Sequence, residues 1–206
     1  DVAALATLNE VERAEIYYGK VMDYAESFKK YQDLITLYNS RETLFGMPNT
    51  HWSDLKEIKA TFDPYYTLWE VAAKFTTDHD RWQTHAINDV DPSQVEQSVT
   101  EWSRKLNTVS KKLKEEAPAS VCSKIMKDLN AFKPHVPLLR ALHINLSQQH
   151  LKNIGKMIDW ETINKDNPEH SLQALVKAGL PNRLSEVEEI ADQAEKTNIL
   201  EKQLDD

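Results

Sequence analysis

The sequence predicts an all-α protein, an elongated bundle of long antiparallel helices followed by a smaller array of shorter helices. Three observations predict it. Only four glycines occur in 206 residues, and none stands in the Asn-Gly or Asp-Gly pairs that supply positive φ to tight β-hairpins. Apolar residues recur at spacings of three and four, the helical period, rather than two. Helix-breaking residues are sparse up to residue 117, whereas Pro118, Pro134, Pro137, Gly155, Pro168, Gly179 and Pro181 punctuate the remainder, so long helices come first and short ones after.

The first helix carries Val11, Ala14, Tyr18, Val21, Ala25, Phe28 and Ile35 on one stripe, with Gln32 the single polar interruption. Gly19 lies inside it and costs about 1 kcal/mol relative to Ala, which a stripe of this length absorbs. Gly46 and Pro48 bracket a stop near Leu44, and Asn49-Thr50 add turn chemistry. A second helix starts at Ser53, a residue suited to the N-cap, and aligns Leu55, Ile58, Phe62, Tyr65, Trp69 and Ala72. Pro64 removes a backbone donor from it and is expected to kink or restart the helix. A third opens with Asp91 as cap, Pro92 at the first position and Gln94 at the third of a capping box. Its stripe, Val95, Val99, Trp102, Leu106, Val109 and Leu113, has no polar break. The last helix is expected to open at Ser185, with Glu188 in the capping-box position. Tyr18, Phe28 and Trp102 on these stripes favour bundle packing over a dimeric coiled coil, whose core positions prefer aliphatic residues.

The net charge of -8 opposes nucleic-acid binding, which depends on clustered cations that displace counterions from phosphate. The one basic knot, Lys111-Lys112 with Lys114, is followed at once by Glu115-Glu116. No apolar run approaches the roughly 20 residues that span a bilayer, and no secretory leader opens the chain. Neither nucleic acid nor membrane is expected as a partner. A single cysteine, Cys122, excludes an internal disulfide and fits a reducing compartment. The Asp1 start and the Leu204-Asp205-Asp206 end lead to the expectation of a piece of a longer protein.

Candidate chemistry is thin. Gly46-Met47-Pro48 lacks the spacing and the following Lys-Ser or Lys-Thr of a phosphate-binding loop. Asp78, His79, Asp80 and His85 have metal-ligand chemistry, but their spacing spreads them over several helix faces and a solvated helix end is the preferred reading. His150 reads as a partly exposed packing residue near a helix start. Glu186, Glu188, Glu189, Asp192 and Glu195 read as the acidic first turns of a helix, favoured by its dipole, and nothing pairs them with a second inward-facing carboxylate set. Cys122 reads as a small buried side chain. Trp52, Tyr65, Tyr66, Trp69 and Trp82 could line a peptide groove, but core is the preferred assignment. No catalytic residue, no cofactor and no metal is therefore expected.

Arg41-Glu42-Thr43-Leu44-Phe45-Gly46-Met47-Pro48-Asn49-Thr50, then Leu55-Lys56-Glu57-Ile58 and Phe62-Asp63-Pro64-Tyr65-Tyr66-Thr67-Leu68-Trp69, resemble a pattern of dynein heavy chains. There a Leu-Phe-Gly-x-Pro turn precedes a Phe-x-Pro-Tyr-x-x-Leu-Trp helix. Trp82, Trp102 and the run Phe132-Lys133-Pro134-His135-Val136-Pro137-Leu138-Leu139 continue the resemblance in register. Where that family has Arg-His-Trp this chain has Gln149-His150-Leu151, and its Ala-x-Lys-Glu core is Ala194-Glu195-Lys196-Thr197 here, followed by Ile199-Leu200-Glu201-Lys202-Gln203-Leu204. Those departures mark a divergent member.

The resemblance implies a non-catalytic stem-to-linker segment of a microtubule motor whose ATPase ring lies elsewhere in the heavy chain. Residues 1–117 would be stem and neck, and residues 118–206 would enter the linker that bends against the ring. Implied partners are the remainder of the heavy chain with its ring and the dynein light or intermediate chains. The form of the turn implies an axonemal, inner-arm type in the cilium or flagellum, with the cytoplasm as the alternative location. Hinges are expected at the Gly46–Pro48 turn, at Pro64 and at Pro118, since hinge motion is absorbed at element ends. A helical or coiled-coil scaffold unrelated to motors is the alternative function. A helical-bundle enzyme with a carboxylate metal site would need Glu-x-x-His pairs, which the chain lacks.

Overall fold

The computed structural model describes residues 2–114 and 116–205, leaving out the side chains of residues 201, 202, 204 and 205. Glu115 beside the basic knot and the terminal Asp1 and Asp206 lie outside the described residues. Among those described there are eight α-helices and no strand. They are α1 (Ala14–Leu44), α2 (Ser53–Thr84), α3 (Pro92–Lys112), α4 (Pro118–Phe132), α5 (Val136–His143), α6 (Gln148–Lys156), α7 (Leu172–Lys177) and α8 (Leu184–Asp205), joined by turns of 3-10 helix. The all-α prediction holds, with helices of 31, 32 and 21 residues first.

Two compact units form, and each is discontinuous in the chain. Unit 1 comprises residues 1–76 and 102–127, unit 2 residues 77–101 and 128–206.

In unit 1 the ring contacts Tyr17–Trp69, Tyr18–Tyr66, Tyr24–Phe62 and Phe28–Phe62 descend along α2 as they ascend along α1, so the two helices are antiparallel. The contacts Phe75–Trp102, Glu70–Lys105 and Tyr65–Glu116 run the same way from α2 to α3 and the turn after it. Burial along α1 is uneven. Val11 in the turn before it and Ala14, Tyr17 and Val21 within it are buried, but Ala25, Phe28 and Ile35 are only half-buried. The buried tyrosine is Tyr17 and not the expected Tyr18, because Tyr17 meets Trp69 edge-on at 4.7 Å.

The end of α1 follows from Gly46. Its φ of +68° places it in the left-handed region that a Cβ disfavours. From there Gly46 N–H donates to Thr43 O at 3.1 Å and Met47 N–H to Glu42 O at 2.8 Å, the paired bonds of a Schellman cap. Pro64 does not restart α2, which is one helix from Ser53 to Thr84. Pro64 is itself buried, as are Phe62, Tyr65 and Leu68 on the same helix, and packing on this scale outweighs the roughly 3 kcal/mol that an internal proline costs. Ser53 is the first helical residue rather than the cap, its hydroxyl turned to the Asp54 carboxylate. Asp91 does cap α3, accepting from Ser93 N–H at 2.8 Å, and every member of the predicted α3 stripe is buried.

Unit 2 is built from short helices around an aliphatic core that includes Leu138, Leu139, Leu142, Ile154, Leu172 and Leu175. Gly155 permits a close backbone approach, since a Cβ there would stand 2.9 Å from the Thr162 Cα. Helix α8 starts at Leu184, one residue before the expected Ser185, because the turn Leu180–Arg183 runs directly into it behind the left-handed Gly179.

Candidate functional site

The aromatic core of unit 1 brings rings of α1 and α2 into contact. Trp69 is fully buried, and Leu68, Val71 and Ala72 beside it are equally inaccessible. Its indole N–H is buried without a hydrogen-bond partner, so Trp69 contributes packing alone. Phe62 sits between Tyr24 and Phe28 of α1 and Tyr66 of its own helix. At the edge of this core Glu70 lies beside both Lys74 and Lys105. Its burial would raise the carboxyl pKa, but the hydrogen bond from Lys74 and the two ammonium charges outweigh burial and hold it below the usual range. Tyr65 donates its hydroxyl to the Glu116 carboxylate, and burial together with that bond raises its pKa.

The α1–α2 turn is ordered by side chains as well as by its cap. Glu42 accepts from Thr50 through both its N–H at 2.7 Å and its hydroxyl at 2.6 Å, and those bonds lower the Glu42 pKa. Trp52 N–H reaches Asn39 at 3.4 Å, leaving the ring 40% exposed. Of the aromatic set singled out in the sequence, Tyr65 and Trp69 are core in unit 1 and Trp82 is core in unit 2, while Tyr66 is half-buried and Trp52 is exposed.

In unit 2 His79 and His135 flank the Phe132 ring, at centroid distances of 5.3 and 6.4 Å. They share a groove of about 300 Å³ with Gln83, Asp128 and Lys177. Desolvation lowers both imidazole pKa values, opposed at His79 by the charges of Asp128 and Asp80. The sequence candidates for metal binding go separate ways. His79 contacts Phe132 and Gln83, Asp78 pairs with Arg81, and His85 is exposed. Among the described residues no three His, Cys, Asp or Glu side chains converge as a metal site.

Glu186, Glu188, Glu189, Asp192 and Glu195 all face outward on α8, opposite the buried Val187, Ala191 and Ala194. Glu186 pairs with Arg183. Cys122 is inaccessible, and burial pushes its thiol up to about 11, which disfavours the nucleophilic thiolate.

Two roles were missed in the sequence. His150 completes a capping box on α6: Ser147 accepts from its N–H and donates its own N–H to His150 Nδ1, both at 3.3 Å. The signal was present as Ser-x-x-His, with His in the usual Glu or Gln place. Lys165 donates to Leu142 O and Ile144 O, each at 3.0 Å, closing the C-terminal end of α5 across more than twenty residues of chain. No local pattern announces such a bond.

Residues 55–206 match the family described as dynein heavy chain, N-terminal region 2. The chain belongs to that family. The dynein relatives include axonemal heavy chain 1 of Rattus norvegicus, 26% identical across 99% of this chain and 4% of its own length. The Homo sapiens axonemal heavy chain 1 is 27% identical across 99% of this chain and 5% of its own, and Homo sapiens axonemal heavy chain 12 is 21% identical across 94% and 6%. The chain thus spans about a twentieth of the length of these curated relatives. No solved structure is a significant match. The stretch is an N-terminal dynein region and not the ATPase ring, and family membership decides against a scaffold unrelated to motors.

Proposed function

We propose that this stretch is the non-catalytic stem-to-linker segment of an axonemal dynein heavy chain, transmitting force to and positioning an ATP-driven microtubule motor. In that reading residues 1–117 serve as stem and neck and residues 118–206 enter the linker. The observation that supports it is the antiparallel packing of long helices about Tyr17, Phe62, Tyr65 and Trp69 in a chain of this family. Long helices have unbroken backbone hydrogen bonding, and a close-packed core transmits strain instead of absorbing it. Compliance belongs at element ends, at the Gly46–Pro48 turn and the Pro118 start of α4.

The partners proposed are the remainder of the heavy chain with its ring, together with light or intermediate chains. The place is the axoneme of a cilium or flagellum, as in the names of the relatives. Among the described residues no helix is long and apolar enough to cross a membrane.

The test replaces this stretch in the parent heavy chain by a flexible Gly/Ser linker. ATP turnover is expected to persist while microtubule gliding stops, and gliding at the original velocity would overturn the mechanical role. Calorimetry on the purified chain is expected to show no saturable heat with ATP; saturable binding would contradict the absence of a nucleotide site.

A further inference from the structure

We propose that the groove beside Phe132 in unit 2 is a docking site for an arginine side chain on a basic segment of a partner protein. The end of α2, α4 with the turn after it, and α7 form its walls. Phe132 and Leu172 are buried at its floor and Val176 is half-buried beside them, an apolar track for a methylene stem. At about 300 Å³ the groove is at the small end of ligand sites, a volume suited to one long side chain rather than to a nucleotide.

Two polar groups in the groove lack hydrogen-bond partners. His135 Nδ1 is buried without one. Asp128, half-buried on α4, has no hydrogen bond or ion pair with any described residue, and its charge is felt by His79. Other polar side chains there are engaged: the Gln83 amide nitrogen lies 2.8 Å from His79 Nε2, and Lys177 donates to Gln173 Oε1 at 3.4 Å. The unsatisfied pair is therefore a carboxylate, which only accepts, and an imidazole. Desolvation lowers the pKa of both groove histidines, so near pH 7 the rings are neutral and do not repel a cation. Protonated at Nε2, His135 offers Nδ1 as a second acceptor. Two acceptors beside an apolar track require a ligand with several donors on an apolar stem. A guanidinium supplies its donors in a planar fork and is more weakly hydrated than an ammonium, which favours Arg over Lys.

Charge selects the same occupant. Unit 2 holds nineteen Asp and Glu against ten Lys and Arg, a net -9, while unit 1 holds fourteen against fifteen. The whole negative excess of the chain thus belongs to the unit that carries the groove, and its field attracts a basic segment and repels an acidic one. One anchored side chain of this kind binds with a Kd on the order of 1 mM, and further cations flanking it strengthen the contact through that field.

Heteronuclear NMR of the 15N-labelled chain tests the proposal with the peptide Ac-Leu-Arg-Leu-amide and with the same peptide carrying citrulline, which keeps the shape of arginine without its charge. The arginine peptide is expected to give saturable shifts at Asp128, His135 and Val176, and citrulline to bind at least about tenfold more weakly. Asp128→Asn should weaken the arginine peptide at least about tenfold and leave the citrulline peptide unchanged. Ala131→Lys places a cation at an exposed position of the groove wall; it should abolish the shifts and keep the thermal midpoint of the parent, so it decides the matter if Asp128→Asn disturbs the fold. Asp192→Asn removes an equal charge from the outward face of α8 and should change affinity less than about twofold. No saturable shift up to about 20 mM peptide overturns the proposal, as does an Asp128→Asn chain that folds and binds like the parent. Equal affinity for the two peptides overturns it by assigning the groove to a neutral ligand, and an equal loss with Asp192→Asn does so by leaving only the general field of the unit.

Discussion

Unit 1 buries Tyr17, Phe62, Tyr65 and Trp69 along helices of 21 to 32 residues, whereas unit 2 surrounds Leu138, Leu142 and Ile154 with helices as short as six to nine. The difference shows in where polar groups are spent. Each helix leaves about four N–H and four C=O groups without intrahelical partners, a small fraction of α2 but nearly the whole of α5. Short helices must therefore be closed from outside. Ser147 and His150 cap α6, Lys165 closes α5, Asn198 donates to Asn145 O beyond it, and Asn88 N–H is held by Lys165 O. In unit 1 side-chain bonds of this kind close the α1–α2 turn, while its core relies on ring packing and the Trp69 N–H goes without a partner.

The largest expected effect breaks unit 1. Trp69→Ala should cost about 3–5 kcal/mol through lost burial and an incompletely collapsed cavity. Trp69→Phe should cost much less, because it also removes an unsatisfied donor. Urea unfolding with an unchanged slope measures both, and a Trp69→Ala chain as stable as the parent would remove Trp69 from the core.

In unit 2 the corresponding sensitivity is to backbone approach. Gly155→Ala puts a Cβ at 2.9 Å from Thr162 backbone, and the shift it forces should cost about 1–3 kcal/mol by the same assay. Lys165→Met keeps the aliphatic stem but leaves the Leu142 and Ile144 carbonyls short of a donor, for about 1–2 kcal/mol. Neutral outcomes at both positions would mean that unit 2 is held by its aliphatic core alone.

The smallest effect is a pH dependence confined to unit 2. Desolvation holds the folded-state pKa of His79 and His135 below the unfolded value of about 6.5. The unfolded chain then binds more protons on acidification, so the stability these residues contribute is complete above about pH 6.5 and declines as pH falls toward the folded values. Thermal midpoints from pH 7.5 to 5 should fall in the parent and fall less in a His79→Gln/His135→Gln chain. Parallel curves would show that neither imidazole is desolvated in solution.

Much of this was legible in the sequence, and the limits have physical causes. The α3 stripe was read without error because its six apolar positions have no polar break and all are buried. The same spacing overstated α1, where periodicity identifies an apolar face but cannot say how far along the helix a neighbour extends. Tyr17 and Tyr18 are adjacent and chemically alike, and only the position of Trp69 selects between them. Pro64 broke a local rule inside a buried segment, where tertiary packing overrides propensity. Gly155 read as punctuation, while its reason is a close approach of residues seven positions away. The interleaved composition of the two units depends on contacts between residues far apart in the chain, such as Glu12 with Lys124 and Glu96 with Arg140, and chain order gives no sign of it.

The closely packed base of the α1–α2 hairpin and its more open outer half differ in burial, and native-state amide hydrogen exchange reads both. Amides from Phe62 to Phe75 are expected to exchange only through global unfolding. Those from Tyr31 to Leu44 should exchange at least about a hundredfold faster by local opening. Equal protection along the whole of α1 and α2 would contradict the division.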